Sequence, residues 1–490
     1  MRTAKIIKWD GRTNMLRVVE TECGKVRGIE AADPRITAFK GIPFAAPPVG
    51  ENRWRAPQPA EPWEGVKDCF RFAPISIQDQ PAVGTDIYCK EWHVDPDIEM
   101  SEDCLYLNVW TPAKKADEKL PVVVWFFGGA LQWGYPSEME FDGERVARRG
   151  VVVVSVNYRL AALGFMTHPQ IIKEQPDFPA NFGNLDQRFG VMWVKRNIAA
   201  FGGDPDNITI AGQSAGAGSV MTQLQYKENE GLFQKAIIQS GMIKYAEGGM
   251  SAFAPCPLDE AAKNGEAFFE ILGVKTLEEA RKLDAFYIRD KYAEYCGGDF
   301  SPAGMLKRFM TVQDNTYIKG DPYDAIISGN CVNVPIMAGN TVDEFQVTPQ
   351  DKKYEGVGPI EWTVKKMALE RKKNGVECPT YYYKFDADIP GEDNPGTFHS
   401  VELWFFFETL AKCWRPFTGK HYDLARVMCN YWTNFIKNGN PNGKDADGTE
   451  MPDWKPYEVN QKCDMVFGKN GAENIIKDKE SEVLEELINS

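Results

Sequence analysis

The chain has 490 residues, of which 43% are hydrophobic, and a formal net charge of −14 at pH 7. This acidic balance disfavours nucleic acid or an anionic membrane surface as a partner, because both would repel the protein. No run of about 18 apolar residues is present, so we expect no transmembrane helix. Residues 1–18 lack the continuous apolar segment of a signal peptide, which favours a cytoplasmic protein.

The first informative element is an apolar strand, Leu120–Phe126, followed directly by a glycine-rich loop at residues 127–130. Glycines in such a loop allow backbone N–H groups to approach a substrate carbonyl without side-chain obstruction. One such donor is worth roughly 3–4 kcal/mol of transition-state stabilisation. Most Gly-Gly pairs are plain turns, but this position after a strand indicates an oxyanion-binding loop.

The most informative stretch is a short apolar strand at residues 208–211 that runs into Gly-x-Ser-x-Gly around Ser214. Gly212 and Gly216 leave room for a sharp turn that lifts the serine hydroxyl clear of the sheet, and small residues follow that can open a helix. The helix would point its N-terminal N–H groups towards a developing oxyanion. The pattern predicts a nucleophilic serine rather than an ordinary turn.

Residues 257–323 read as a helical insertion. Their apolar positions recur with helical spacing and share one face, which predicts a packed helix. The face consists of Leu258, Ala261, Ala262, Gly265, Phe268, Phe269 and Leu272. A lid role for this segment is an open alternative.

A serine nucleophile needs a histidine base and an acid that orients it. Residues 332–338 read as a buried strand containing a proline, and they lead to Asp343 and Glu344. An acid that follows a strand and lies between the serine and the histidine in the sequence fits the order serine, acid, histidine that this chemistry requires. Either carboxylate could serve, and such pairs also occur simply facing solvent.

Only four histidines are available as the base. His399 lies in a loop after the predicted strand at residues 380–385, and it is C-terminal to the serine, as the order requires. His93 lies in a polar acidic stretch, His168 precedes a proline, and His421 belongs to a predicted amphipathic helix at residues 420–434. By elimination, His399 is the predicted base.

The last segment, residues 478–490, reads as an acidic amphipathic helix. Its apolar stripe would either cap the domain or mediate contact between subunits.

Five stretches of the chain match long signatures of one enzyme family, and the match runs from about residue 17 to about residue 442. The stretches are residues 39–50, 102–112, 156–160, 181–187 and 201–216. On these motifs the chain resembles the type-B carboxylesterases, the group of bacterial para-nitrobenzyl esterases, fungal lipases, liver carboxylesterases and cholinesterases. Signatures of this length are highly specific.

The resemblance implies an α/β-hydrolase fold, with a large mixed, mostly parallel sheet flanked by helices. Residues 1–490 would form a single domain, because the candidate catalytic residues are spread along the chain. A loop insertion at residues 74–100 would lie over the mouth of a gorge, and the helical insertion at residues 257–323 would complete that gorge.

Carried over residue by residue, the resemblance implies Ser214 as nucleophile, His399 as general base and acid, and Glu344 as the third member. In this family the third member is usually followed by glycine, whereas this chain has Phe345. We expect Phe345 to change the local shape of the loop that carries Glu344.

The implied oxyanion donors are the backbone N–H groups of Gly129, Ala130 and Ala215. Ala130 replaces a third glycine of the family, and its methyl group narrows the acyl side of the hole. Two further departures are Phe127, where His or Tyr is common, and Gln213, where Glu is commoner. These changes leave the catalytic groups in place and bear on substrate scope.

The implied function is a serine carboxylesterase that acts on small to medium esters with aryl, short-chain acyl or cinnamoyl groups. Aromatic residues crowd the site, and we expect Phe127, Trp133 and Trp404 to line the substrate pocket, although many of the aromatics must be core. One alternative is a lipase acting on longer acyl glycerides, which would need an apolar lid, whereas residues 74–100 are strongly charged. Another is a non-catalytic binding or scaffold protein on the same fold.

We expect no cofactor and no metal, because the sequence has no zinc-type spacing, dinucleotide fingerprint or P-loop. The expected partner is a small-molecule ester, and the expected state is a monomer or a small homo-oligomer. Secreted family members pair the signature cysteine, here Cys104, with an upstream cysteine. Ile75 or Ser76 stands at the corresponding upstream position, so the eleven scattered cysteines favour a reduced protein.

Overall fold

An eleven-stranded sheet is the main feature of the computed structural model. The structure describes residues 15–79, 87–92, 94–244, 254–297, 307–344 and 357–490. In chain order, the strands of the sheet are β1 Ile29–Glu30, β2 Thr37–Pro43, β3 Tyr106–Thr111, β4 Leu120–Phe126, β5 Val152–Val156, β6 Gly203–Gln213, β7 Lys235–Gln239, β8 Ile336–Thr341, β9 Thr380–Asp386, β10 Lys462–Gly468 and β11 Gly471–Lys477.

Across the sheet the order is β11-β10-β9-β8-β7-β6-β4-β5-β3-β2-β1. The strands from β10 to β5 in this order run parallel to their neighbours. The strands at both edges are antiparallel. The sheet is therefore mixed and mostly parallel, as the family resemblance implies.

Fourteen α-helices lie within the described residues, and they flank or connect these strands. They are α1 Ile87–Glu91, α2 Glu144–Ala147, α3 Ala161–Phe165, α4 Pro169–Glu174, α5 Phe182–Asn197, α6 Ala215–Gln225, α7 Leu258–Leu272, α8 Leu277–Arg281, α9 Ala285–Cys296, α10 Pro322–Ile327, α11 Pro359–Lys373, α12 Leu403–Phe406, α13 Gly419–Asn438 and α14 Glu482–Asn489. Two small sheets lie outside the main one: Val18–Thr21 with Gly24–Arg27 and Val66–Asp68, and Cys256–Pro257 with Val312–Gln313.

The central strands are apolar on both faces because helices cover both faces of the parallel sheet. Successive side chains of a strand point to opposite faces. In β4, Val123 and Trp125 accordingly belong to one hydrophobic cluster, whereas Val122, Val124 and Phe126 belong to another. The sheet thus separates two cores and holds the ends of its strands in fixed positions.

The predicted strands match the observed ones closely. β4 has the predicted bounds, and β6 extends the predicted strand at residues 208–211 in both directions. The strand expected at residues 332–338 instead begins at Ile336, directly after Pro335. Pro335 lacks an N–H group and cannot donate to a neighbouring strand.

Six of the seven residues of the predicted helical face are buried in α7, including Phe268, Phe269 and Leu272, and Leu258 is half-buried. Gly265 lets the backbones approach, because a Cβ at this position would lie 1.8 Å from the carbonyl oxygen of Thr167. Within the insertion, residues 298–306 lie outside the described part of the chain.

Part of the predicted gorge-mouth loop is described, whereas residues 80–86 and 93 are not. Glu91, at the end of α1, pairs with Arg415 at 2.6 Å, and both side chains are fully buried. The next residue, Trp92, packs against Phe398 with a centroid distance of 5.9 Å. The described part of the loop is therefore anchored beside the residue that precedes His399.

The C-terminal helix α14 packs its apolar stripe on α11. Leu484, Leu487 and Ile488 are buried against Trp362. The stripe expected from the sequence therefore covers the domain itself.

None of the helices in the described ranges is long and apolar enough to cross a membrane. The eleven cysteines all lie within the described ranges, and none of them forms a disulfide there. Cys104 is buried, and this burial raises the pKa of its thiol.

Candidate active site

Ser214 lies in a sharp turn between β6 and α6. Its backbone adopts φ 56° and ψ −125°, outside the regions that most L-residues favour. The flanking glycines are required by close contacts: a Cβ on Gly216 would lie 2.1 Å from the carbonyl oxygen of Phe126, and one on Gly212 would lie 2.4 Å from that of Gly216. This geometry is that of a strained strand-to-helix elbow, which exposes a nucleophile at the end of the sheet.

The glycine-rich loop after β4 lies directly beside this elbow. A Cβ on Gly128 would be 3.1 Å from the Cβ atom of Ser214. Gly129 and Ala130 both have positive φ, 102° and 54°. Ala215 is the first residue of α6, where backbone N–H groups have no partner within the helix. The loop and the start of the helix thus lie beside the same serine.

His399 and Glu344 are in direct contact, with Nδ1 of the imidazole against Oε2 of the carboxylate. The backbone N–H of His399 also donates to the carbonyl oxygen of Glu344 at 2.8 Å. Glu344 follows β8 and His399 follows β9, two neighbouring parallel strands. Since parallel strands place their carboxyl ends at one edge, this pair lies at the same edge as Ser214.

The neighbouring carboxylate, Asp343, has a different role in the structure. Its Oδ2 accepts hydrogen bonds from the backbone N–H and the hydroxyl of Thr397, at 2.7 and 2.9 Å. Asp343 therefore ties the loop that carries Glu344 to the loop that carries His399. The two carboxylates, which chemistry alone could not separate, have distinct contacts.

Two groups hold the second oxygen of Glu344. Ser240 Oγ donates to Oε1 at 2.6 Å, and the backbone N–H of Thr341 donates to the same atom at 2.9 Å. Ser240 belongs to no recognisable motif of the sequence. The available signal was its position directly after β7, the strand between β6 and β8.

Gln213 reaches the other nitrogen of the histidine. Its Nε2 lies 3.2 Å from His399 Nε2, and the side chain is buried. A carboxylate can only accept a hydrogen bond, so the contact of Nδ1 with Glu344 requires the imidazole proton on Nδ1 and leaves Nε2 with a lone pair towards the amide of Gln213. That tautomer is the one that can accept a proton at Nε2.

A second carboxyl group, Glu402, is completely buried near Glu344. Burial raises the pKa of Glu402 to about 8, and the neighbouring charge of Glu344 adds to this shift. The raised pKa favours the protonated, neutral form of Glu402 beside Glu344. The sequence analysis did not single it out, because an isolated Glu in an aromatic run carries no motif.

The three expected pocket residues lie in different surroundings. Phe127 is buried and stacks on Tyr158 at a centroid distance of 4.3 Å. Trp404 is fully buried in the core cluster of its face of the sheet. Trp133 is half-buried, and Arg308 lies 4.8 Å from the centroid of its ring. Of the three, Trp133 retains the most accessible surface.

Two other histidines have local structural contacts. His168 Nδ1 accepts the backbone N–H of Gln170 at the start of α4, and His421 Nδ1 accepts that of Thr418 at the start of α13. His93 and Phe345, both noted from the sequence, lie outside the described residues.

Comparison with known proteins places this site in a family. The carboxylesterase family profile matches residues 16–356 and 352–483. The para-nitrobenzyl esterase of Bacillus subtilis (strain 168) is 31% identical over 517 residues, which span 97% of this chain and 99% of the relative. A mouse (Mus musculus) cholinesterase is 42% identical over 509 residues, covering 89% and 81%. The fumonisin B1 esterase of Sphingopyxis macrogoltabida is 41% identical over 390 residues, covering 76% and 64%.

Solved structures give the same result. A para-nitrobenzyl esterase structure superposes with a TM-score of 0.79 at 28% identity, covering 96% of this chain and 99% of that one. A Geobacillus stearothermophilus carboxylesterase superposes with a TM-score of 0.74 at 28% identity, covering 94% and 98%. The chain therefore belongs to the carboxylesterase family and is a carboxylic ester hydrolase with the α/β-hydrolase fold.

Proposed function

We propose that this enzyme hydrolyses small to medium carboxylic esters, with aryl, short-chain acyl or cinnamoyl-type groups, through an acyl-enzyme on Ser214. His399 is the general base and acid, and Glu344 is its orienting carboxylate. The oxyanion donors are the backbone N–H groups of Gly129, Ala130 and Ala215.

In this mechanism Ser214 Oγ attacks the ester carbonyl carbon while His399 Nε2 takes its proton. Glu344 stabilises the imidazolium that forms, and the backbone donors stabilise the tetrahedral oxyanion. His399 then protonates the leaving alcohol, which departs and leaves the acyl group on Ser214. Water attacks the acyl-enzyme with the same histidine as base, and the acid product is released.

The observation that carries the proposal is the contact of His399 Nδ1 with Glu344. Gln213, the residue directly before Ser214, lies 3.2 Å from the same histidine, so the pair is next to the elbow. A nucleophile, a base with its orienting acid, and backbone donors are the complete set that acyl transfer requires.

The preference for aryl and short acyl groups rests on the aromatic residues around this site. Trp133 lies beside the oxyanion loop, and Trp92 packs on Phe398 next to His399. Flat aromatic walls favour aromatic rings in stacked or edge contacts. The relative from Bacillus subtilis is named for an aromatic ester, which fits the same preference.

A panel of aryl esters, from acetate to decanoate with one hydroxycinnamate, tests the proposal on the purified protein. Activity in the wild type and its loss in Ser214→Ala would support the serine mechanism. Ser328→Ala, an exposed serine at the end of α10 that donates only to nearby carbonyl oxygens, is the matched control and should keep activity. An inactive but folded wild type would overturn the proposal, and a sharp rate increase above the solubility limit of decanoate would favour a lipase.

A further inference from the structure

A basic cleft lies at the opposite end of the sheet from Ser214. The side-chain amide of Asn207, in the first half of β6, donates to the carbonyl oxygen of Lys437 in this region at 3.1 Å. Ser214 follows the last residue of the same strand. Asn207 precedes Ser214 by seven residues, roughly 23 Å along an extended strand, so the cleft is separate from the candidate active site.

The cleft has a volume of about 310 Å³. It is formed by α2, α13 and the loop that follows α13. Six cationic side chains line it, namely Arg145, Arg148, Arg149, Arg426, Lys437 and Lys444. Such a concentration of positive charge is unexpected in a chain with a net charge of −14.

The cations of the cleft are incompletely neutralised. Glu408 is the one carboxylate among the lining residues that the structure describes, and it pairs with Arg149 at 2.7 Å. Neither Arg145 nor Lys437 forms an ion pair with any residue of the described ranges. The other three pair with carboxylates outside the lining: Arg148 with Glu144 and Asp33, Arg426 with Asp445 and Asp423, and Lys444 with Glu450.

The incomplete neutralisation of the cleft affects the side chain of Lys437. It is half-buried, and both burial and the nearby charge of Arg149 lower the pKa of its ammonium group. A bound anion would offset the repulsion between these two cations. The same anion would meet Arg145 at the exposed rim of the cleft.

We propose that this cleft binds a small, multiply charged phosphate, either as a free anion or as the phosphate group of a metabolite. Arginine guanidinium groups match the geometry of phosphate oxygens with paired hydrogen bonds, and lysine adds a point charge. The cleft is at the lower end of the size range of small-ligand pockets, about 300–1,000 Å³. It is therefore suited to a compact anion.

Isothermal titration calorimetry of the full chain tests this proposal, with pyrophosphate, inorganic phosphate and ribose 5-phosphate titrated at constant ionic strength. Saturable binding of pyrophosphate with one equivalent per chain is expected. If ribose 5-phosphate binds more tightly than inorganic phosphate, the natural ligand is a phosphorylated metabolite. If inorganic phosphate binds more tightly, the natural ligand is a free anion. Absence of saturable binding by all three would overturn the proposal.

The double variant Arg145→Gln/Lys437→Gln locates the site. It should bind pyrophosphate at least about tenfold more weakly, because two charge-assisted contacts are lost. The control Arg27→Gln/Lys282→Gln removes the same charge from exposed positions elsewhere and should bind like the wild type. Equal binding by both variants would overturn the proposal. If circular dichroism shows that the double variant does not fold, Lys437→Gln alone is compared with Lys282→Gln. Equal pyrophosphate binding by these two variants would overturn the proposal.

Discussion

The side-chain amide of Gln213 lies 3.2 Å from His399 Nε2, the nitrogen that takes the serine proton in the proposed mechanism. The opposite nitrogen, Nδ1, faces Glu344. A neutral amide donor on one side and a carboxylate on the other fix the tautomer of the ring. A glutamate at position 213, which is commoner in this family, would instead place negative charge on both sides.

Gln213→Glu should therefore shift the pH dependence of the reaction. A carboxylate beside Nε2 favours the protonated imidazole, which cannot act as base. We expect the acid limb of the kcat/KM profile to move to higher pH by about one unit. The measurement is the hydrolysis of para-nitrophenyl acetate from about pH 5 to about pH 9.

Gln58→Glu is the matched control, since Gln58 is exposed and its side-chain amide donates locally to the carbonyl oxygen of Ala56. It adds the same charge outside the site and should leave the profile in place. An unchanged profile in Gln213→Glu would show that the amide contact has no bearing on the protonation of the base.

The two neighbouring carboxylates should respond differently to amide substitution. Glu344→Gln should lower kcat by about 10⁴-fold, because the amide no longer orients and stabilises the protonated His399. Asp343→Asn should keep most of its turnover but lose about 1–3 kcal/mol of stability, because the charge that binds Thr397 is removed. Steady-state kinetics and denaturant titration separate the two effects. The reverse pattern would make Asp343 the orienting acid.

Ser240 is expected to position Glu344. Ser240→Ala removes the 2.6 Å hydrogen bond to the carboxylate, so the orienting acid loses part of its support. The bond is to a charged group and is worth about 1.5–3 kcal/mol, so kcat should fall roughly tenfold to a hundredfold. Since the contact does not involve substrate, KM should change little. Single-substrate kinetics give both constants.

Ser328→Ala is the control for this substitution, because Ser328 is exposed and donates only to nearby carbonyl oxygens of its own helix end. Its kinetics should match the wild type. A loss of stability in Ser240→Ala with unchanged kcat would contradict the positioning role and leave Ser240 a purely structural residue.

The parts of the site that depend on local sequence could be predicted, and those that depend on contacts across the sheet could not. Ser214 is specified by a strand, two glycines and a helix within a few residues, so its elbow was visible in the sequence. The contacts of Gln213 and Ser240 join residues far apart in the chain, 186 and 104 positions. Only the strand order brings such residues together, and no local pattern encodes that order.

The fold shows the same division. The strand at 120–126 was predicted with its observed bounds, because apolar β-branched residues ended at glycines. The start of β8 was placed too early, because Val332 and Val334 are apolar and buried without being in the sheet. Burial produces the same pattern in a strand and in the segment that leads to it. Only the hydrogen bonds, interrupted at Pro335, distinguish the two.

Glu402 should make the stability of the enzyme depend on pH. Its pKa is raised from an ordinary value of 4.5 to about 8 in the folded protein, so the native state holds a proton that the unfolded chain releases. Between these values the native state binds more protons, and stability falls as pH rises. The contribution of this group falls by roughly 1.4 kcal/mol per pH unit in that window.

Glu402→Gln replaces the buried acid with a neutral side chain of the same shape and should remove this slope. The measurement is the free energy of unfolding from denaturant titrations at several pH values between the two pKa values. The stability of Glu402→Gln relative to the wild type should increase as pH rises. Glu473→Gln, an exposed substitution on β11, should follow the wild-type curve. Parallel curves for wild type and Glu402→Gln would show that Glu402 binds its proton equally in the folded and unfolded states, and would contradict the raised pKa.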